Sequence, residues 1–136
     1  MAAKLFQVDI VTPRKVVFSG VVQSISVPGE CGGFQVLVNH APIISSLVVG
    51  ELKLVDAGDA VTRYATSGGF VEVKKNTVVV LAETAERSDE IDAKRAEASR
   101  ARAQNRLHKR ERGTDISRAE AALLRAINRL RINVKA

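Results

Sequence analysis

The sequence predicts a β-plus-α chain. An all-β sandwich or barrel spans residues 1–85, and an antiparallel two-helix hairpin spans residues 86–136. Three observations carry this reading. Short runs up to Ala85 alternate apolar and polar residues and are cut every few positions by Gly, Pro, Asn or Asp, which is the pattern of half-buried strands. From Ser88 onward the apolar period changes to three or four residues, and Gly113 is the only Gly or Pro left. Charge is also unevenly divided. Seven basic and seven acidic residues balance in residues 1–84, so the whole net charge of +6 falls in the remainder, with fourteen basic and eight acidic groups.

The elements follow in order. Phe6, Val8 and Ile10 alternate with Leu5, Gln7 and Asp9 as the two faces of a first strand. Pro13-Arg14-Lys15 interrupts it, Val16–Phe18 resumes it, and Ser19-Gly20 is expected to turn the chain into a strand at Val21–Val27. Pro28-Gly29 and Cys31-Gly32-Gly33 form turns before a strand at Phe34–Val38, which leads into Asn39-His40-Ala41-Pro42. Further strands are expected at Leu47–Val55, Val61–Thr66, Phe70–Lys74 and Thr77–Ala82, separated by Asp56–Asp59, Gly68-Gly69 and Asn76. In the helical part Ser88 is expected to cap a first helix, helped by Asp89 and Glu90, that runs to about Arg112. Gly113 supplies a left-handed turn, and Thr114 or Asp115 caps a second helix. Its apolar stripe is Ile116, Ala119, Leu123, Ala126/Ile127, Leu130 and Val134, and the first helix offers the thinner stripe Ala93, Ala96, Ala103 and Leu107. So little Leu or Ile leaves the pair marginal by itself, and reversible docking on another surface is the expectation.

Composition excludes several classes. In a chain of 136 residues, 46% hydrophobic and 26% charged leaves ample material for a core, and 4% aromatic with no Trp makes that core aliphatic. Nowhere do 18 apolar residues run together, and the N-terminus alternates like a strand rather than a secretory signal. The single Cys31 allows neither an internal disulfide nor a cysteine zinc site and fits a reducing compartment. Only two histidines, His40 and His108, are present, so no metal is expected.

No catalytic constellation assembles. His40 lies at a Pro turn without a partner signature, and Cys31 has no basic neighbour to activate it. Gly32-Gly33 and Gly68-Gly69 lack the flanking residues of nucleotide-binding loops and read as β-turns. The arginines of the hairpin carry more information. Asp92 and Arg95 are spaced to pair across one turn, with Glu86 just upstream and Arg102 and Arg106 further along. Arg125 and Arg129 share a face of the second helix, and an antiparallel fold brings them toward Arg95. Guanidinium forks suit phosphate oxygens, and a carboxylate such as Asp92 suits ribose hydroxyls or an adenine amino group. A charged face shown only to water is the plain alternative. A small basic nucleic-acid-binding module is the rival function, although the strand half lacks the basic, aromatic-studded face on which single strands stack. A stand-alone ATP-using enzyme would need a metal-binding carboxylate pair and a base, neither of which is evident.

Across nearly its whole length the sequence resembles the epsilon subunits of F-type ATP synthases. The resemblance lies in Val11-Thr12-Pro13, Val27-Pro28-Gly29-Glu30, Val36 to Pro42, Ser67 to Val73, Val80 to Glu86 and Ile91 to Ala96. It implies a ten-stranded β-sandwich followed by the hairpin. It also implies a non-catalytic rotor subunit that couples proton translocation to ATP synthesis, peripheral on the cytoplasmic face of a bacterial membrane. The sandwich would bind the gamma subunit and the ring of c subunits through Glu30, Gly33, Asn39, His40 and Pro42. The chain departs from the family's loop pattern at Gly33, Gln35 and Val38. Folded, the hairpin would permit turnover. Extended, it would reach the alpha and beta subunits and inhibit ATP hydrolysis. Some relatives bind ATP in the folded hairpin. The matching residues here are Glu86, Ile91, Asp92, Arg95, Ala96, Arg102, Arg125 and Arg129, with ATP as a regulatory ligand and no required cofactor.

Overall fold

Alternation dictates the first part of the computed structural model, which describes residues 4–134. Ten strands form there: β1 (Phe6–Val11), β2 (Val16–Val22), β3 (Ser24–Val27), β4 (Phe34–Val36), β5 (Ile43–Leu47), β6 (Gly50–Val55), β7 (Val61–Thr66), β8 (Gly69–Lys74), β9 (Thr77–Ala82) and β10 (Ala85–Arg87). They make two five-stranded sheets, in the orders β2-β1-β9-β8-β5 and β10-β7-β6-β3-β4. β1 and β9 run parallel, whereas the other pairings are antiparallel. One face of each sheet turns inward. Phe6, Val8 and Ile10 of β1 meet Val71 and Val73 of β8 and Val78 and Val80 of β9 in the same core as Ile25, Leu52, Leu54 and Tyr64 of the second sheet. Most of these side chains are fully buried, so the core is aliphatic and close-packed.

The chain divides into two compact units, Met1–Arg87 and Ser88–Ala136. In the second, a 3-10 turn at Ser88–Glu90 precedes α1 (Ala93–Lys109) and α2 (Ile116–Val134). The two helices pack on their small residues, with Ala96, Ala103, Ala119 and Ala126 buried. The side-chain amide of Asn133 donates to the carbonyls of Ser88 (3.1 Å) and Ile91 (3.5 Å), tying the end of α2 to the start of α1.

Several local expectations are corrected. Ser19-Gly20 does not turn: both residues continue β2, paired with Asp9 and Val8, and the chain changes sheet at Gln23 instead. The run Leu47–Val55 is two segments, β5 and β6, lying in different sheets, and β5 begins earlier, at Ile43. Phe34–Val38 is a strand only to Val36, and the tenth of the strands that the resemblance implies is Ala85–Arg87, which alternation does not mark. Ser88 does not cap α1. Asp92 does, its carboxylate accepting from the Arg95 backbone N–H at 3.0 Å. α1 ends at Lys109, three residues short of the expected end, because Arg110 takes the left-handed conformation (φ 46°) assigned to Gly113, which has a positive φ of its own in the turn. Asp115 caps α2, as one of the two expected residues. Ala93, Ile127 and Val134 lie outside the buried stripe, whereas Asn128 and Ile132 are buried.

Gly69 is the tightest backbone position in the sandwich. Its φ is +140°, and a Cβ there would collide with the Leu81 carbonyl oxygen across the β8–β9 pair. Backbone strain and steric overlap together should make Gly69→Ala destabilising by about 3 kcal/mol in urea unfolding of the full chain. A loss within about 0.5 kcal/mol, the range of an ordinary surface change, contradicts this geometry.

Candidate functional site

The hairpin orders its arginines by simple geometry. At about 100° per residue, Arg95, Arg102 and Arg106 fall on one flank of the Ala96–Ala103 stripe. Arg118, Arg125 and Arg129 fall on the equivalent flank of the Ala119–Ala126 stripe. Antiparallel helices are related by a two-fold axis, so the two flanks lie on the same side of the hairpin. The hydrogen bonds from the Asn133 amide to the Ser88 and Ile91 carbonyls hold the end of α2 beside the start of α1, which brings Arg129 near the level of Arg95. The opposite side carries the Glu97–Arg100 ion pair, in which the guanidinium hydrogen bond holds the Glu97 carboxyl below its ordinary range.

The candidate nucleotide residues are partly brought together. Arg95 and Arg129 come to similar levels, and Arg125 lies one turn away along α2. The guanidinium groups of Arg95 and Arg125 have no hydrogen-bond or ion-pair partner among the described residues, whereas that of Arg102 donates to the Ser99 hydroxyl at 3.0 Å. Asp92 makes no ion pair with Arg95; one carboxylate oxygen caps α1. Ile91 and Ala96 are buried, and their side chains offer no polar atoms. Glu86 belongs to β10, in register with Ala65, and so to the sandwich unit. Among the described residues no group of three His, Cys, Asp or Glu side chains could hold a metal ion.

The candidate loop of the sandwich is built around reciprocal asparagines. Asn39, at φ 62°, donates its backbone N–H to the Asn76 side-chain oxygen (2.6 Å), and the Asn76 amide donates back to the Asn39 side chain (3.0 Å). The loop is thereby pinned to the β8–β9 turn. His40 Nδ1 lies 2.6 Å from the Ala41 carbonyl, and its ring sits 6.4 Å from that of Phe34. Glu30, Gly33 and Pro42 are exposed, and the Glu30 N–H donates to the Ser46 carbonyl (2.9 Å), which holds the two ends of the loop together.

A second surface of the sandwich was missed. Phe70 of β8 pairs with Leu81 of β9, Leu81 with Val11 of β1, and Val11 with Val16 of β2, making an apolar row across four strands on the outer face. Phe70, Leu81 and Val16 are each more than half exposed, and a groove of about 380 Å³ runs between Val11, Pro13, Phe70 and Leu81. The available signal is that Thr77–Ala82 is apolar at almost every position instead of alternating, as a strand covered on both faces would be.

Two family profiles divide the chain between them. "ATP synthase, Delta/Epsilon chain, beta-sandwich domain" matches residues 5–88, and "ATP synthase, Delta/Epsilon chain, long alpha-helix domain" matches residues 89–132. The chain belongs to the ATP synthase delta/epsilon chain family. The curated relatives it resembles carry the name ATP synthase epsilon chain. That of Desulforamulus reducens is 47% identical over 84% of this chain and 86% of its own, and that of Geobacter sulfurreducens is 47% identical over 80% and 78%. The fold is shared with a chain of the Euglena gracilis mitochondrial ATP synthase (TM-score 0.78, 21% identity, 88% of this chain and 76% of that one).

The capping role of Asp92 can be measured by itself. Asp92→Ala should cost about 1 kcal/mol of hairpin stability, and Asp92→Asn, which keeps a capping oxygen, only a few tenths. Thermal unfolding followed by helical circular dichroism checks both. Equal losses in the two variants would contradict the capping role.

Proposed function

We propose that this chain is a non-catalytic rotor subunit of the central stalk of an F-type ATP synthase. Its sandwich attaches to the gamma subunit and to the ring of c subunits, coupling proton movement to ATP synthesis, and its hairpin restrains ATP hydrolysis. The observation that carries the reading is the division of labour within one family member. A charge-balanced sandwich bears an exposed apolar row, and an arginine-rich hairpin holds the whole net charge of +6. An apolar row of this kind suits a protein–protein contact, and we assign it to gamma. The asparagine-pinned loop from Glu30 to Pro42 is assigned to the ring. The arginine flank suits the acidic surfaces of the alpha and beta subunits when the hairpin extends, because charge complementarity sets encounter and register.

The folded hairpin is the form that would bind ATP. Arg95, Arg125 and Arg129 would grip phosphate oxygens, with Arg102 beside them, and Asp92 would offer its second oxygen to the sugar or base. Bound ATP would favour the folded hairpin by mass action and relieve inhibition while nucleotide is plentiful. No helix among the described residues is long and apolar enough to cross a membrane, and the chain would meet the bacterial membrane's cytoplasmic face only through the complex.

Deleting the residues beyond 86 should leave the complex assembled and raise its ATP hydrolysis. Unchanged hydrolysis by an assembled truncated complex refutes the inhibitory role. Calorimetric titration of the full chain with ATP, with and without Mg²⁺, should show binding that Arg95→Ala abolishes, and equal binding by both proteins removes the nucleotide site from the hairpin. Phe70→Ala should weaken binding to the gamma subunit about 30-fold, as loss of a central aromatic anchor does, with its unfolding midpoint nearly unchanged.

A further inference from the structure

The closed end of the hairpin holds a cavity that the proposed ATP site does not use. Its volume is about 570 Å³, within the range of about 300–1,000 Å³ typical of small-ligand sites. Three arginines line it from three different segments: Arg106 from the last turn of α1, Arg112 from the connection, and Arg118 from the first turn of α2. None of the three guanidinium groups has a hydrogen-bond or ion-pair partner among the described residues. Like charges gathered around one cavity repel unless an anion joins them, and planar guanidinium forks match phosphate oxygens in pairs.

Two carboxylates share the lining and limit what fits. Asp115 is engaged as the cap of α2, one oxygen accepting from the Arg118 backbone N–H at 3.0 Å. Glu111 is exposed and opposes any anion, leaving the lining with a formal charge of +1. A diphosphate carries more oxygens and more charge than a single phosphate, and so can offer paired contacts to more than one of the guanidinium groups.

We propose that this cavity is a second anion site, for a small diphosphate-bearing molecule, separate from the Arg95–Arg129 end. An anion held between Arg106 and Arg118 ties the two helices together at their turn and favours the paired hairpin by mass action. The site requires no nucleotide at the other end.

Inorganic pyrophosphate, titrated calorimetrically into the full chain at low salt, tests this, with orthophosphate as the comparison. Pyrophosphate should bind more tightly than orthophosphate. Arg106→Ala combined with Arg118→Ala should weaken pyrophosphate binding at least ~10-fold, since two charge-assisted contacts are lost. The part of the binding that the double variant removes should persist in Arg95→Ala, and Glu111→Gln should strengthen that part. Alanine favours helix, so the double variant should keep its helical signal in circular dichroism. Absence of heat at millimolar pyrophosphate overturns the proposal. So does equal binding by the double variant, or a loss confined to Arg95→Ala.

Discussion

Burial of two inward-facing rows of aliphatic side chains is the constraint on which the rest of the molecule depends. Because successive strand residues point to opposite faces, placing Val8, Ile10, Val71, Val73, Val78 and Val80 inside leaves Gln7, Asp9, Phe70, Glu72, Val79 and Leu81 outside. A one-residue slip would exchange the two sets. The outer apolar row is therefore a consequence of the register that protects the core. Gly69 enforces that register where the β8 and β9 backbones approach too closely for any side chain.

The hairpin obeys a different balance. Its interface is lined by alanine, which permits close approach of the helices but removes little apolar area from water. Polar groups supply its register: Asn133 at the open end, and Asp92 and Asp115 as caps. An element assembled in this way is stable by a small margin. A ligand or partner that binds one arrangement of the helices can shift it, because the required differential free energy is modest. Six arginines, Arg95, Arg102, Arg106, Arg118, Arg125 and Arg129, fall on one side of the pair.

Much of this was legible in the residues. Val61–Thr66 and Thr77–Ala82 are strands as read, because clear turn residues flank them. The change of period at Ser88 marks the start of the helical unit. Misread elements share one cause. Ser19-Gly20 has turn composition but lies within a strand, since pairing with Asp9 and Val8 outweighs local preference. Asp92 and Ser88 are both competent caps, but Ser88 opens a short 3-10 turn and α1 begins only at Ala93, which leaves the cap to Asp92. Arg110 occupies a left-handed position that local propensity assigns to glycine. Of the candidate nucleotide residues, the motif names the types, but the capping duty of Asp92 and the placement of Glu86 in β10 appear only in three dimensions.

By itself, the sequence determined that a strand region precedes a helical one, which residues make the core side of a strand such as β1, and where the charge resides, because these follow from composition and from periods of two and 3.6 residues. Tertiary structure alone decided which strands pair, and so that Phe70, Leu81, Val11 and Val16 form one row, since pairing joins residues far apart in the chain. It likewise decided which arginines come to similar levels along the hairpin, because the hydrogen bonds from Asn133 to Ser88 and Ile91 hold the end of α2 beside the start of α1, where periodic helix surfaces would otherwise permit several offsets.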